Sequence, residues 1–319
     1  MPNRNRVLNY RSVHDLNQAV VRWSRDLAFD VDLVVGVPRS GLLAASLLGM
    51  HLHRPVMDLP GYLVGAEPWS GLRLREGVDA ARGLRVLVLD DTANSGAEQR
   101  RVRAAVAASG RGERDDVRYA AVYVAPGSER IVDLHAEVVP LPRVFEWNVL
   151  HNEVVSRACM DIDGVLCADP KPSENDDGRR YRQFLSDAEL RYRPSMQVGT
   201  LVTSRLEKYR PETEDWLAKH GITYGGLVML DLPSAAERRR LQAHVPHKAR
   251  TYAASGRELF IESSVHEGRG IHDATGLPVF VTDTRDYFAA PAAPRNVRLA
   301  GMAARADRVA RGLARRVLR

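Results

Sequence analysis

Runs of unbroken apolar residues, each closed by small or acidic residues, recur along this 319-residue chain. DLVVGV (32–37) leads into the small-residue helical pattern LLAASLLGMHL, and RVLVLDD (85–91) into AEQRRVRAAVAAS. VRYAAVYVA (117–125) ends at a Pro126-Gly127 turn. A strand with one wet face alternates apolar and polar residues. A strand that is apolar throughout must be covered on both faces, as in a parallel sheet between helices. The alternation restarts near Arg157 with ACMDIDGVL (158–166), VGTLVTS (198–204), GGLVMLD (225–231), ELFIESS (258–264) and LPVFVTD (277–283). YRPETEDWLAKHG (209–221) reads as a helix stopped by Gly221. The expected fold is therefore α/β, with two doubly wound parallel-sheet domains at residues 1–153 and 154–290. An apolar content of 45% over this length suffices for two cores.

Pro291 and Pro294 mark a linker to a tail, 291–319, in which Leu299, Met302, Ala306, Val309, Leu313 and Val317 recur at helical steps. From Arg295 onward this tail carries eight Arg against Asp307, so it contributes +7 of a net +6 and leaves a body near −1. A near-neutral body has no broad phosphate-binding footprint, so nucleic acid is not an expected partner except through the tail. The tail is otherwise expected to pack on its own body or on a second subunit, as in a homodimer; an acidic membrane surface is a further partner for a basic amphipathic helix. No apolar run reaches the ~18 residues of a membrane span, and MPNRNRVLNYRSVHDLNQ lacks the apolar segment of a signal peptide. A cytoplasmic protein is expected. Cys159 and Cys167 match neither a disulfide framework nor a zinc pattern and are expected as small buried side chains.

Two acids, Asp90 and Asp91, end the second strand of the first half, and Thr92, Ala93, Asn94, Ser95 and Gly96 follow as a turn into a helix. Small residues there let backbone N–H groups close on an anion. The acids would repel that anion unless they hold sugar hydroxyls, or a Mg²⁺ ion with its waters. VVGVPRSGLLAA places Arg39, Ser40 and Gly41 at the matching end of another strand, suited to a diphosphate. These residues resemble type I phosphoribosyltransferases over roughly residues 10–150. Val86–Gly96 is similar to that family's signature for 5-phosphoribosyl-1-diphosphate (PRPP), and residues 36–41 to its pyrophosphate loop. The Gly-rich stretch 61–83 falls where its mobile catalytic loop lies, with Arg73 and Arg75 as candidates for closing over the leaving group. The resemblance implies Mg²⁺-PRPP binding, with Asp90 and Asp91 at the ribose diol, residues 92–98 on the 5′-phosphate, and Arg39 to Gly41 on pyrophosphate. Glu98 stands where the family often has a second hydroxyl residue, so it must point away. Phe145 and Trp147 could wall the acceptor or could be interdomain packing.

In the second half Asp161 and Asp163 of MDIDGVL, the hydroxyls Thr203 and Ser204, Lys248 and Glu262 follow in order, and Lys248 is one of only four lysines. A nucleophilic carboxylate, an acid/base partner, a hydroxyl, a cation and a further acid for Mg²⁺ make a phosphoryl-transfer site. Over roughly residues 157–290 this order resembles the haloacid dehalogenase (HAD) superfamily of phosphatases, with a Rossmann-like fold. The resemblance implies that Asp161 attacks phosphorus, that Asp163 protonates the leaving oxygen and then activates water, and that Ser204 or Thr203 with Lys248 holds the phosphoryl group. Asp161, Asp163 through its carbonyl, and Glu262 would bind Mg²⁺. Many members carry two acids in the last motif, whereas here Ser263 and Ser264 follow Glu262, with Glu267 further on. The segment 167–197 is expected as a small cap or a solvated insertion.

Together the two resemblances imply a bifunctional enzyme. It would transfer 5-phosphoribosyl from PRPP to a small-molecule acceptor and then remove the 5′-phosphate. The alternatives are a PRPP- or nucleotide-sensing regulator and a sugar-phosphate phosphatase.

Overall fold

The computed structural model describes residues 8–68 and 83–289. Arg73, Arg75, most of the 61–83 connection and the tail lie outside the described residues. The chain divides into Met1–Ala289 and Ala290–Arg319; the elements below belong to the first unit.

The first half runs β1 (Asn9–Arg11), α1 (Val13–Asp26), β2 (Leu33–Gly36), α2 (Gly41–Leu52), β3 (Val56–Asp58), α3 (Leu59–Val64), β4 (Arg85–Ala93), α4 (Ala97–Ala108), α5 (Arg111–Arg114), β5 (Asp116–Val124), β6 (Leu134–Val138) and β7 (Arg143–Phe145). A capping box starts α1: Ser12 Oγ accepts from Asp15 N at 3.0 Å while Asp15 Oδ2 accepts from Ser12 N at 2.8 Å. Five strands form one sheet in the order β3-β2-β4-β5-β6, every pair parallel. All four residues of β2 are buried, as unbroken apolar runs require. The helix α2 presses on the end of β2, where a Cβ on Gly36 would lie 2.8 Å from Leu42 Cα. The 61–83 stretch, expected as irregular, is helical through Val64, with Asp58 Oδ1 capping α3 by accepting from Gly61 N at 2.6 Å.

The second half runs β8 (Ala158–Met160), α6 (Arg179–Asp187), β9 (Thr200–Leu206), α7 (Arg210–Lys219), β10 (Leu227–Leu230), α8 (Ala235–Arg240), α9 (His244–Ser255), β11 (Leu259–Glu262), α10 (Val265–Thr275), β12 (Val279–Val281) and β13 (Tyr287–Phe288). These give a second sheet, β10-β9-β8-β11-β12-β13, parallel except for β13. Gly221, at φ +63°, follows α7 as expected. Part of the 167–197 insertion is α6, which buries Tyr181, Phe184 and Leu185. Cys159 and Cys167 are free and buried.

The edge pair β1–β7 forms a wall shared by two cores. Val144 joins the core of the second sheet and Phe145 that of the first, because successive strand residues face opposite ways. Tyr10 stacks on Tyr287 with ring centroids 4.4 Å apart, and Tyr287 Oη donates to Leu8 O at 3.3 Å. No helix among the described residues is long and apolar enough to cross a membrane.

Candidate active sites

Each parallel sheet has one place where the strand order reverses, and there adjacent connections leave in opposite directions and open a crevice at the carboxyl ends. In the first sheet that place lies between β2 and β4; in the second it lies between β8 and β11. Arg39 to Gly41 follow β2, and Asp90 to Gly96 end or follow β4. Asp161 follows β8, and Glu262 ends β11. The two sets of acids thus occupy the positions where such sheets bind ligands.

At the first site Asp91 is 2% exposed, and both of its oxygens are held: Ser40 Oγ donates to Oδ1 at 2.8 Å and Trp147 Nε1 to Oδ2 at 2.8 Å. This joins the loop after β2 to the acid pair. A Cβ on Gly41 would lie 2.8 Å from Leu89 O, so only glycine lets that loop approach β4 so closely. The peptide between Pro38 and Arg39 is cis. Asp90 accepts from Gln99 Nε2 at 3.3 Å, and Asp91 N donates to its other oxygen at 2.8 Å. Burial, then repulsion from Asp91, pushes the Asp90 carboxyl up to about 8.

The turn expected over Thr92 to Gly96 is shorter, because β4 continues through Ala93. Thr92 and Ala93 still pair with Tyr123 and Val124 of β5, and Arg143, which sequence reading missed, holds this strand end: Nη2 donates to Thr92 Oγ1 at 2.6 Å and to Ala93 O at 2.9 Å. Asn94 and Ser95 are exposed, and Gly96 caps α4 at φ +76°. Glu98 pairs with Arg101 at 2.5 Å, and its charge also adds to the rise of the Asp90 carboxyl. Phe145 is corrected from the acceptor-wall expectation. It is 3% exposed and stacks on Tyr123 at 5.4 Å and Trp147 at 4.9 Å, so its ring is taken up by packing. Trp147 is the partly buried end of that stack.

The raised Asp90 carboxyl has a measurable consequence. A folded-state pKa above the unfolded value contributes stability that is present at low pH and lost as pH rises through about 8. Asp90→Asn is therefore expected to remove part of the wild type's loss of stability between about pH 5 and about pH 8.5. Urea midpoints at the two ends check this; identical pH slopes in both proteins would contradict it.

At the second site Lys248 is 2% exposed. Its Nζ donates to Asp161 Oδ2 at 2.5 Å, Glu262 Oε2 at 2.8 Å and Glu267 Oε2 at 2.6 Å. An ammonium has three N–H groups, and all three are used. Each buried acid is fixed by backbone on its second oxygen: Ile162 N donates to Asp161 Oδ1 at 2.7 Å, and Ser263 N to Glu262 Oε1 at 2.9 Å. Burial holds Asp161 well above the usual carboxylate range, although Lys248 pulls the other way. For Lys248 burial works against the charge, yet the three acids raise it well above the ordinary ammonium value.

One oxygen from each of Asp161, Glu262 and Glu267 lies within 4.8 Å of the others, so Glu267 joins the expected side-chain ligands Asp161 and Glu262. The cluster carries three carboxylates against one ammonium, a deficit that a divalent cation would fill, so these residues fit Mg²⁺. Glu267 brings a third carboxylate to the strand end. Ser264 Oγ caps α10 by accepting from Glu267 N at 3.3 Å, and this places the Glu267 side chain toward Lys248.

The Asp163 carboxylate is held by one guanidinium. Arg205, 0% exposed, donates through Nε to both Asp163 oxygens at 3.1 and 3.2 Å and through Nη2 to Oδ1 at 2.6 Å. Burial works to raise this carboxyl, but the guanidinium outweighs it and brings it below its ordinary value. Thr203 and Ser204, open alternatives in the sequence, separate here. Both line the cavity, but Thr203 Oγ1 accepts from Arg205 N at 3.2 Å, while Ser204 Oγ is buried without a partner.

That cavity has a volume of about 260 Å³ and is lined by the acids, Lys248, Ser204, Tyr181, Arg238 and His244 among others. Arg205 stands next to Ser204 in sequence, but no spacing links it to Asp163. Glu267 had a local signal, the Ser-x-x-Glu cap of SVHE, which reads as helix start rather than as chemistry. Arg143 and Arg238 had none.

No protein-family model matches the chain, and no curated protein matches it. Among solved structures, the purine phosphoribosyltransferase from Pyrococcus horikoshii Ot3 is 22% identical, with 44% of this chain and 92% of that chain covered and a TM-score of 0.32. The Helicobacter pylori xanthine-guanine-hypoxanthine phosphoribosyltransferase is 15% identical over 45% and 95%, with a TM-score of 0.33. A hypothetical protein from Neisseria gonorrhoeae with bound ppGpp is 14% identical over 46% and 93%, with a TM-score of 0.32. At such identities and TM-scores nothing below is built on these likenesses.

Proposed function

We propose that the chain is a two-site enzyme, divided near residue 153, in which the first domain uses PRPP and the second removes a phosphate. The observation that carries this reading is the convergence of both sets of residues at the two strand-order reversals, with Ser40 bonded to Asp91 and Lys248 to Asp161. In the first domain Asp90 and Asp91 would hold the ribose hydroxyls, the turn Asn94 to Gly96 the 5′-phosphate, and Arg39 to Gly41 the pyrophosphate. The bond from the anomeric carbon to pyrophosphate breaks as the acceptor bonds to that carbon and gives up its proton. Mg²⁺ would enter with PRPP and offset charge on the departing group.

In the second domain an Asp161 oxygen would bond to phosphorus as the bond to the 5′-oxygen breaks and that oxygen takes a proton from Asp163; Asp163 would then take a proton from the water that displaces Asp161 and releases phosphate. Mg²⁺, held by Asp161, Glu262 and Glu267, would supply charge neutralisation there. Ser204 Oγ, which has no partner in the protein, would donate a hydrogen bond to a phosphoryl oxygen, and Arg205 would keep Asp163 in one place.

Incubation with PRPP, Mg²⁺ and purine, pyrimidine or other acceptors is expected to release pyrophosphate and then phosphate. Neither product above a blank would overturn the proposal. A second reading, binding without turnover, draws on Asp91, whose oxygens already have protein partners. Pyrophosphate release that Asp90→Asn abolishes excludes it.

A further inference from the structure

Lys248 spends its three N–H groups on three carboxylates, so the cavity needs another cation if it is to take a phosphoryl group. Arg238, on α8, is 7% exposed and lines the same cavity. Its Nη1 donates to Ser204 O at 2.7 Å, and its side chain also reaches Tyr181. Its Nε is buried with no hydrogen-bond partner, and so is Ser204 Oγ on the residue whose carbonyl Arg238 grips. Among the described residues no carboxylate forms an ion pair with Arg238.

A buried guanidinium without a counter-ion and with an idle donor is unfavourable by itself. It becomes favourable when an oxyanion completes it, and the planar fork of arginine matches phosphate. An idle donor on Arg238 and an idle hydroxyl on the residue whose carbonyl it grips, in a cavity lined also by five acids, leave one place where an anion would be welcome. We propose that Arg238 and Ser204 together form the phosphate cradle of the second site, holding the non-bridging oxygens of a phosphomonoester while Lys248 stays with the acids. Arg238 is thereby a substrate-binding residue, and the inference rests on the phosphatase reading of this site.

The test uses the full-length protein and inorganic phosphate as probe, with phosphate and Mg²⁺ affinities measured separately by titration calorimetry. Arg238→Gln is expected to weaken phosphate about ten- to a hundredfold, the range for a hydrogen bond to a charged group. Its Mg²⁺ affinity is expected to be unchanged, because Arg238 touches none of the three clustered acids. A loss confined to Mg²⁺, or equal losses of both, would overturn the cradle. Wild-type phosphate affinity in Arg238→Gln overturns this inference alone. A wild-type protein that neither binds phosphate nor releases it in the PRPP assay overturns the phosphatase reading as well. If the Gln variant fails to unfold cooperatively, Arg238→Lys decides. Weaker phosphate binding with intact Mg²⁺ binding supports the fork, and wild-type phosphate affinity refutes it.

Discussion

Replacing Lys248 by methionine is expected to destabilise the protein by about 3–5 kcal/mol, the range for removing one partner of a buried ion pair. Asp161, Glu262 and Glu267 would then face one another without a counter-charge, two of them almost fully buried. Methionine keeps the length and apolar stem of lysine, so lost packing contributes little. Because the same three carboxylates fit a divalent cation, Mg²⁺ is expected to recover stability in the variant, and by more than it adds to the wild type. A cation that binds only the native state stabilises it by about RT ln(1 + [L]/Kd). Urea unfolding in chelator and in Mg²⁺ reads both effects. An unchanged midpoint in chelator would show that Lys248 does not hold the cluster together.

Asp161→Asn is expected to divide activity from stability. Losing the proposed nucleophile should lower phosphate release at least about a thousandfold, while the proposed pyrophosphate release by the first domain stays at the wild-type rate and the phosphorylated product accumulates. The same change removes a buried anion whose carboxyl is held well above its ordinary range chiefly by burial. The variant is therefore expected to unfold at higher urea than the wild type at neutral pH. Mass spectrometry of the products and one pair of unfolding curves check the two halves. Phosphate release at the wild-type rate would remove Asp161 from the chemistry.

Much of the architecture was legible because it is written in consecutive residues. The buried runs of β2, β4, β8, β11 and β12 were readable as two-sided strands, and α2, α4 and α7 as the helices between them. The strands β1, β3, β7 and β13 were not, since NYR, VMD, RVF and YF stand in no longer apolar run of the kind that marks β8 and β12, and they exist only through their partners. Phe145 shows the same limit at one residue. An aromatic at a strand end looks identical in sequence whether its ring meets a ligand or, as here, Tyr123 and Trp147.

The candidate sites divide in the same way. That acids stand at strand ends, with small residues after them, follows from the sequence alone, because strand, turn and helix start are local and the carboxyl end of a parallel strand is where a turn must begin. Which charges meet was decided only by the tertiary structure. Lys248 reaches Asp161 across 87 residues, Arg205 takes Asp163 across 42, Trp147 takes Asp91 across 56, and Arg238 reaches the Ser204 carbonyl across 34. Sheet order and helix placement set those encounters, and hydrogen bonds and ion pairs depend on distances of a few ångströms that no spacing along the chain encodes.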